Sequence, residues 1–284
     1  MNKPNIELVN SYLEKGNCEL FDMKKQWIDI ENPLERELYF KRKCCKVPDP
    51  DKCDLTMSIA CILLKGNGFD VVGYSGRHVI LGNGDRIETD TANSFISLYK
   101  GALMTCLPNY YVLLKQFNIT GSFKNEYEKI YAHRDLFSLL GADKKLYELF
   151  NEFANMTHCI GNFVFGPVGF NCADKKSKAK IISAKKWSLF DRMDIFLDKI
   201  ANGEIYESWK EWYSNYMKST YTYFFYDEIA YNQDGTVDLN GSKLIDLGIY
   251  DMKKRIETIN SIIKSRGAKM ANDLNQYMGD NIWN

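Results

Sequence analysis

The segment that most constrains the fold lies between residues 69 and 88, where three short runs rich in β-branched, aromatic and aliphatic residues follow one another. The runs cover residues 69–74, 78–81 and 85–88. Gly82-Asn83-Gly84 separates the last two, and both residue types tolerate the positive φ angles of tight turns. Because tight turns join antiparallel strands, we predict a small antiparallel meander over about residues 69–89.

The remainder of the chain favours helices, because apolar residues recur there at three- and four-residue steps. Asn32 and Pro33 mark one helix start, since Asn can cap a helix and Pro suits its first turn. The predicted helices cover residues 5–15, 33–43, 54–64, 91–105, 109–117, 124–140, 144–156, 184–201, 205–217 and 249–278. The segment 54–64 is apolar enough to be buried, and a strand there stays an alternative.

Three further segments complete the prediction. Residues 162–167 are expected to be extended, Asp234-Gly235 and Asn240-Gly241 bracket a hairpin, and the lysine-rich residues 173–186 form a loop. We therefore predict an α+β protein, mainly helical, with its small sheet packed against helices. Residues 1–284 are expected to form one globular domain, in which residues 1–65 can make up a helical subregion.

The charge balance limits the classes of partner. Lys plus Arg and Asp plus Glu both number 37 in 284 residues, so bulk attraction to nucleic acid is not expected, although a local basic patch stays open. No apolar run approaches the roughly 20 residues that span a bilayer. The first five residues also lack the apolar core of a signal peptide. We expect a cytoplasmic protein that has no membrane partner.

The eight cysteines do not predict a metal site. None forms a C-x-x-C pair, and disulfide frameworks belong to short secreted chains. A zinc site from Cys44, Cys45, Cys53 and His78 would have adjacent ligands followed by a gap that fits no common zinc spacing. We expect no structural metal, although a carboxylate-bound Mg²⁺ leaves little trace in a sequence. The sequence identifies no cofactor.

The first polar junction is Asp90-Thr91-Ala92-Asn93-Ser94-Phe95, which follows the predicted meander and opens a predicted helix. In the structural interpretation, Asp90 or Thr91 caps that helix. In the functional interpretation, the free N–H groups of the first turn hold an anion with Asn93 and Ser94. Asp90 would then orient a ribose, a water or a metal.

The second polar junction is Thr157-His158-Cys159-Ile160-Gly161-Asn162-Phe163. In the structural interpretation, His158 lies at a helix C-terminus and Gly161 is the left-handed residue that ends the helix. In the functional interpretation, His158 is a general acid or base and Asn162 donates its amide to a carbonyl or an oxyanion. Cys159 lies in an apolar context that does not favour a thiolate.

Arg77 and His78 precede or begin a predicted strand. A single histidine in such a place is more often structural than functional. If Arg77 lies on the face that meets the Asp90 turn, its planar fork can bind a phosphate or a carboxylate.

An aromatic region at residues 209–226 and the last helix are the candidate surfaces for a partner. The aromatic residues suit a core or base stacking, but few basic residues interleave them. The last helix carries isoleucines and a methionine at three- and four-residue steps, which favours packing on the body of the protein over packing on a partner.

The elements D-T-x-N-S-F at residues 90–95 and T-H-x-I-G-N-F at residues 157–163, followed by Gly169-Phe170-Asn171 and a helix with Trp187, resemble an uncharacterised family of bacterial proteins. The resemblance covers roughly residues 85–230, and H-x-I-G-N-F is its most specific part. Cys172-Ala173-Asp174 stands where the family pattern has an arginine. The resemblance implies a bacterial or phage origin and no established activity.

Two hypotheses for function follow. In the first, the protein is an enzyme or effector that acts on a nucleotide or another small anionic, nucleic-acid-like ligand. Asp90 and His158 are its catalytic residues, and Arg77, Asn93, Ser94 and Asn162 bind the ligand. In the second, it is a non-catalytic component that binds a protein partner, such as a phage-defence, antitoxin-like or inhibitor protein.

Overall fold

The computed structural model describes residues 1–43, 47–95, 98–99, 102, 109, 112, 115–116, 143–168, 203 and 249–283. Over these residues the chain forms five α-helices and one four-stranded sheet. The elements are α1 Ile6–Leu13, α2 Pro33–Lys43, α3 Asp54–Gly66, β1 Val71–Ser75, β2 His78–Leu81, β3 Arg86–Thr91, α4 Lys144–Met156, β4 Phe163–Pro167 and α5 Ile249–Gly279. Short 3-10 helices occupy Cys18–Leu20, Met23–Gln26, Pro50–Lys52 and Ile160–Asn162. This confirms the mainly helical α+β class.

Several predicted elements lie outside the described residues. They are the helices at 124–140, 184–201 and 205–217, most of the helix at 109–117, the loop at 173–186, the hairpin at 234–241 and the aromatic region at 209–226.

The sheet is an antiparallel meander in the order β1-β2-β3-β4. Ser75 pairs with His78, so only Gly76 and Arg77 connect β1 to β2, and Gly76 takes the positive φ of 56° that favours glycine. The predicted three strands are confirmed, and the predicted extended segment at 162–167 becomes the fourth. β4 pairs with β3 from Thr91↔Phe163 to Ile87↔Pro167.

Side-chain caps begin three of the helices. The Asn5 carboxamide oxygen accepts from the Leu8 N–H at 3.0 Å, and Asn32 accepts from the Glu35 N–H at 3.1 Å. Asp143 begins α4 in the same way. Each cap satisfies an N–H group that the first helical turn leaves without a partner, so the predicted start at Asn32 and Pro33 is confirmed.

The core has two parts, and α5 contacts both. α3 is buried from Leu55 to Leu64, as predicted, and packs beneath the sheet with α1. The second part packs α2 and α4 around Phe95 and Tyr99. The 31 residues of α5 extend about 46 Å, so its first half reaches the second part of the core and its last turns reach the first part, where α5 contacts α3 and α1. The prediction that α5 packs on the body is confirmed for these residues.

No helix in the described ranges combines the length and the apolar character needed to cross a membrane.

The first polar junction differs from its predicted structure. β3 continues to Thr91, so Asp90 and Thr91 are strand residues and do not cap a helix. The helical segment begins later, because the Ser94 carbonyl accepts from the Leu98 N–H at 3.1 Å. Cross-strand pairing with β4, whose first residue Phe163 lies 72 residues after Thr91, extends the strand beyond the point that the local sequence indicates.

Gly161 does not end a helix in the left-handed conformation that we predicted, since it does not have a positive φ. It lies in the 3-10 helix before β4, where α5 crosses. A Cβ atom on Gly161 would overlap the Ile263 carbonyl oxygen and lie 2.7 Å from the Gly267 nitrogen. Glycine is required here for a close approach between two backbones.

We expect Gly161→Ala to lower the free energy of unfolding by about 1–3 kcal/mol, because two backbone segments must separate to admit one methyl group. Urea unfolding measures the change. Gly16→Ala is the matched control, since a Cβ on Gly16 meets no atom within 4 Å. Equal stability of the two variants would contradict the close approach.

Candidate functional site

The two polar junctions meet at the side chain of Asn162. Its carboxamide oxygen accepts from the Asn93 backbone N–H at 3.0 Å and from the Asn93 side-chain amide at 3.1 Å. Its amide nitrogen donates to the Asn93 carbonyl at 3.1 Å and to the Thr157 carbonyl at 2.8 Å. Both asparagines are fully buried.

The bonds of Asn162 use its whole hydrogen-bonding capacity. A carboxamide offers two acceptor positions and two N–H donors, and all four are engaged inside the protein. No polar group of this side chain remains for a ligand. Asn162, predicted as a ligand-binding residue, here joins the end of β3 to the connection between α4 and β4.

We expect Asn162→Ala to destabilise the fold by about 2–4 kcal/mol, because it leaves several buried backbone and side-chain groups without their partner. The melting temperature and urea unfolding report the loss. Asn83→Ala removes an exposed asparagine in the β2–β3 turn and serves as the control, with an effect below about 1 kcal/mol. We call the hydrogen-bonded pair of Asn93 and Asn162 the joint. A change in stability at Asn162 no larger than at Asn83 would show that the joint does not hold β3 to the connection between α4 and β4.

His158 lies in a closed pocket behind this joint. Only 2% of the residue is exposed, and its ring contacts the rings of Phe40 and Phe163 at centroid distances of 5.3 and 6.4 Å. Its Nδ1 lies 3.8 Å from a carboxylate oxygen of Glu37. The histidine that we predicted as catalytic is therefore enclosed.

His158 belongs to a buried charge cluster, which consists of Asp22, Lys24, Arg36, Glu37 and His158. In it Lys24 forms an ion pair with Glu37, and Arg36 binds Asp22 at 2.7 Å. Buried ions are costly unless they are paired, and here each formal charge has an opposite charge beside it. The cluster fixes the 3-10 helix Met23–Gln26 against α2 and the end of α4.

Cys159 is fully buried beside this cluster. Burial is the main cause that raises the pKa of its thiol, so the thiol stays protonated near neutral pH. This agrees with the apolar context in the sequence and does not favour a nucleophile.

The sheet has one apolar face and one polar face. The apolar face, with Val79, Ile87 and Phe165, packs on the core. Residues opposite each other across paired strands share a face, and alternate residues along a strand share a face. The pairs His78↔Glu88 and Ile80↔Arg86 thus define the polar face, which carries His78, Ile80, Arg86, Glu88 and Asp90.

Arg77 joins the polar face from the β1–β2 loop. Its guanidinium forms an ion pair with Glu88, whose side chain is fully buried, while Arg77 itself stays about 30% exposed. Asp90 lies two residues beyond Glu88, about 6.8 Å along the strand. Two of the predicted site residues, Arg77 and Asp90, are therefore on one face of the sheet. Asn93 and Asn162 form the joint instead. His158 lies in the charge cluster. Ser94 is half-buried at the start of the helical segment.

His78 is half-buried opposite Glu88. Burial lowers its pKa, Glu88 opposes the shift, and Arg77 and Arg86 lower the pKa further. Because the ordinary value is about 6.5, the imidazole is neutral at pH 7 and can accept a proton. From the sequence we interpreted His78 as structural. The residues Arg77 and His78 before a strand do not indicate which residue lies opposite, so the buried Glu88 could not be predicted.

Asp51 contacts β3 at the point where the pairing of β3 with β2 ends. Pairing with β2 ends at His78↔Glu88, and beyond that point the Thr89 hydroxyl donates to the Asp51 carbonyl at 2.8 Å. The Asp51 side chain is buried, and the charge of Asp90 acts on it. Burial raises the pKa of the Asp51 carboxyl to about 9, and the charges of Asp49 and Asp90 add to the shift. Asp51 is thus a neutral acid at pH 7.

This shift makes the stability depend on pH. Between about pH 4 and pH 9 the folded protein keeps a proton that the unfolded chain releases, so the stability falls as pH rises, by at most about 1.4 kcal/mol per pH unit. We expect Asp51→Asn to gain stability relative to the wild type from pH 5 to pH 8. Urea unfolding at several pH values tests this, with the exposed Asp29→Asn as control. A difference between wild type and Asp51→Asn that does not change with pH would show that Asp51 is ionised in the fold.

Within the described parts of the chain, no three His, Cys, Asp or Glu residues are grouped so that they could hold a metal ion. Cys44 and Cys45, considered above for zinc, lie outside those parts.

No protein-family model matches the chain, and no curated protein or solved structure matches it significantly. The resemblance to the bacterial family at the two junctions therefore stays an expectation.

Proposed function

We propose that the protein is a cytoplasmic enzyme or effector that performs acid–base chemistry on a small anionic, nucleotide-like ligand at the polar face of the sheet. The observation that carries the proposal is the arrangement of two buried carboxylates, Glu88 and Asp90, on one strand face beside the half-exposed His78. Buried carboxylates next to an accessible imidazole are typical of sites that move protons.

The chemical roles follow from the positions of the groups on the polar face. His78, whose pKa burial lowers, is the base, and Asp90, on the same strand face as Glu88, is the second proton-transfer group. Arg77 neutralises Glu88 and fixes its position next to His78.

In this proposal the other predicted residues support the site. The joint of Asn93 and Asn162 holds the end of β3, and so the position of Asp90. His158 is enclosed and acts through the packing of the charge cluster and not by contact with a ligand.

The test is a thermal-shift screen against nucleotides, dinucleotide cofactors, short RNA and DNA, and divalent metals. A ligand at about 100 times its Kd stabilises the native state by about 2.7 kcal/mol, which is readily measured. We expect a nucleotide to raise the melting temperature of the wild type, and the increase to vanish in His78→Asn and Asp90→Asn.

The matched control is Lys144→Gln, which removes a charge from an 89% exposed side chain on α4 and should retain the increase. An increase that survives in both sheet variants would place the ligand elsewhere. A screen without any stabilising ligand would contradict the proposal and favour the alternative of a non-catalytic component that binds a protein partner.

A further inference from the structure

Arg86 differs from the other arginines whose contacts the structure describes. Arg77 is paired with Glu88, Arg36 with Asp22, and Arg266 donates to two backbone carbonyls. Arg86 is exposed at the start of β3, and its guanidinium makes no hydrogen bond or ion pair with the described residues. Its charge is thus available for a ligand on the polar face.

The sheet register places this guanidinium next to His78. Arg86 lies opposite Ile80, and His78 lies opposite Glu88, so Arg86 and His78 are diagonal neighbours on the same face. Diagonal neighbours are about 7–8 Å apart, within reach of a long arginine side chain. The half-buried Ile80, opposite Arg86 and two residues from His78 on β2, is an apolar neighbour of both on this face. The fact that Arg86 lowers the pKa of His78 agrees with this proximity.

We propose that Arg86 and His78 form a subsite for a phosphate monoester group. The guanidinium fork presents paired N–H donors that match two phosphate oxygens, and the imidazole adds a third N–H donor, while its other ring nitrogen stays available as the base. A phosphate dianion offers enough oxygens and enough charge for both groups, whereas a carboxylate carries a single charge. Arg77 is not part of the subsite, because its guanidinium is paired with the buried Glu88.

This inference rests on the proposed function, because it names the chemical class of the same ligand. It has a consequence that does not depend on any enzymatic activity. In the part of the chain that the structure describes, the charged groups that act on His78 are Arg77 and Arg86, which disfavour its protonation, and Glu88, which favours it. A bound dianion adds negative charge, so it favours the imidazolium. The dianion should therefore bind more tightly as pH falls, until the phosphate itself is protonated to the monoanion at about pH 6.

The experiment follows the ring signals of the histidines by NMR from pH 5 to pH 8.5, with and without inorganic phosphate at constant ionic strength. The chain has three histidines, and His78→Asn assigns the relevant signal. We expect phosphate to raise the pKa of His78 by about one unit and to leave the other two histidines unchanged. The shift should be lost in Arg86→Gln, reduced in Arg86→Lys and retained in Lys144→Gln.

Two results would overturn the subsite: a His78 pKa that phosphate does not move, or an equal shift in Arg86→Gln. An equal shift of the His78 pKa with acetate would show that His78 responds to any anion and that there is no subsite specific for phosphate. The failures of the two proposals are distinguishable. Nucleotides that stabilise the protein without moving the His78 signal would contradict only the subsite. Phosphate that moves the signal without nucleotide stabilisation would contradict only the proposed ligand class of the enzyme.

Discussion

The sheet and the second part of the core are held in place by the hydrogen bonds of the Asn162 carboxamide. It links the end of β3 to the connection between α4 and β4 through four buried hydrogen bonds. Because α5 crosses closely at Gly161, next to this residue, and Arg266 donates to the Gly161 and Phe163 carbonyls, the same point also anchors the last helix. A polar group placed here is fully satisfied and rigid, so Asn162 uses inside the fold the hydrogen-bonding groups that suggested a ligand site.

The described carboxyl groups are buried in two ways, beside a cation or beside other acidic groups. The two places where a cation is paired also differ in how far a ligand can reach them. Glu37 and Glu88 are each buried against a cation, Lys24 and Arg77. Asp51 has two acidic neighbours instead, and it retains its proton. The charge cluster around Glu37 is closed, whereas the polar face near Glu88 leaves His78 and Arg86 accessible. Of these two places, only the polar face therefore has a histidine and an arginine that a ligand could contact.

Much of the fold follows from local patterns in the sequence. The Gly82-Asn83-Gly84 turn and the apolar run before residue 65 predict the meander and α3, and both are confirmed. The length of β3 does not follow, because its pairing with β4 is set by a segment that is distant in sequence. The two junctions meet at Asn93 and Asn162, as a single site built from both would require, but their roles depend on burial, which a single sequence does not display. His78 and Glu88 were missed for a related reason: only the register reveals that they face each other.

Diffraction from crystals soaked in sodium tungstate, a tetrahedral phosphate analogue, tests most directly whether the polar face is the anion site. The heavy atom gives an anomalous peak whose position does not depend on any assumption about the ligand. We expect a peak between the Arg86 guanidinium and the His78 imidazole, and its loss in crystals of Arg86→Gln. A tungstate that binds elsewhere on the protein, with no density on the polar face, would contradict the assignment of the site to this face of the sheet.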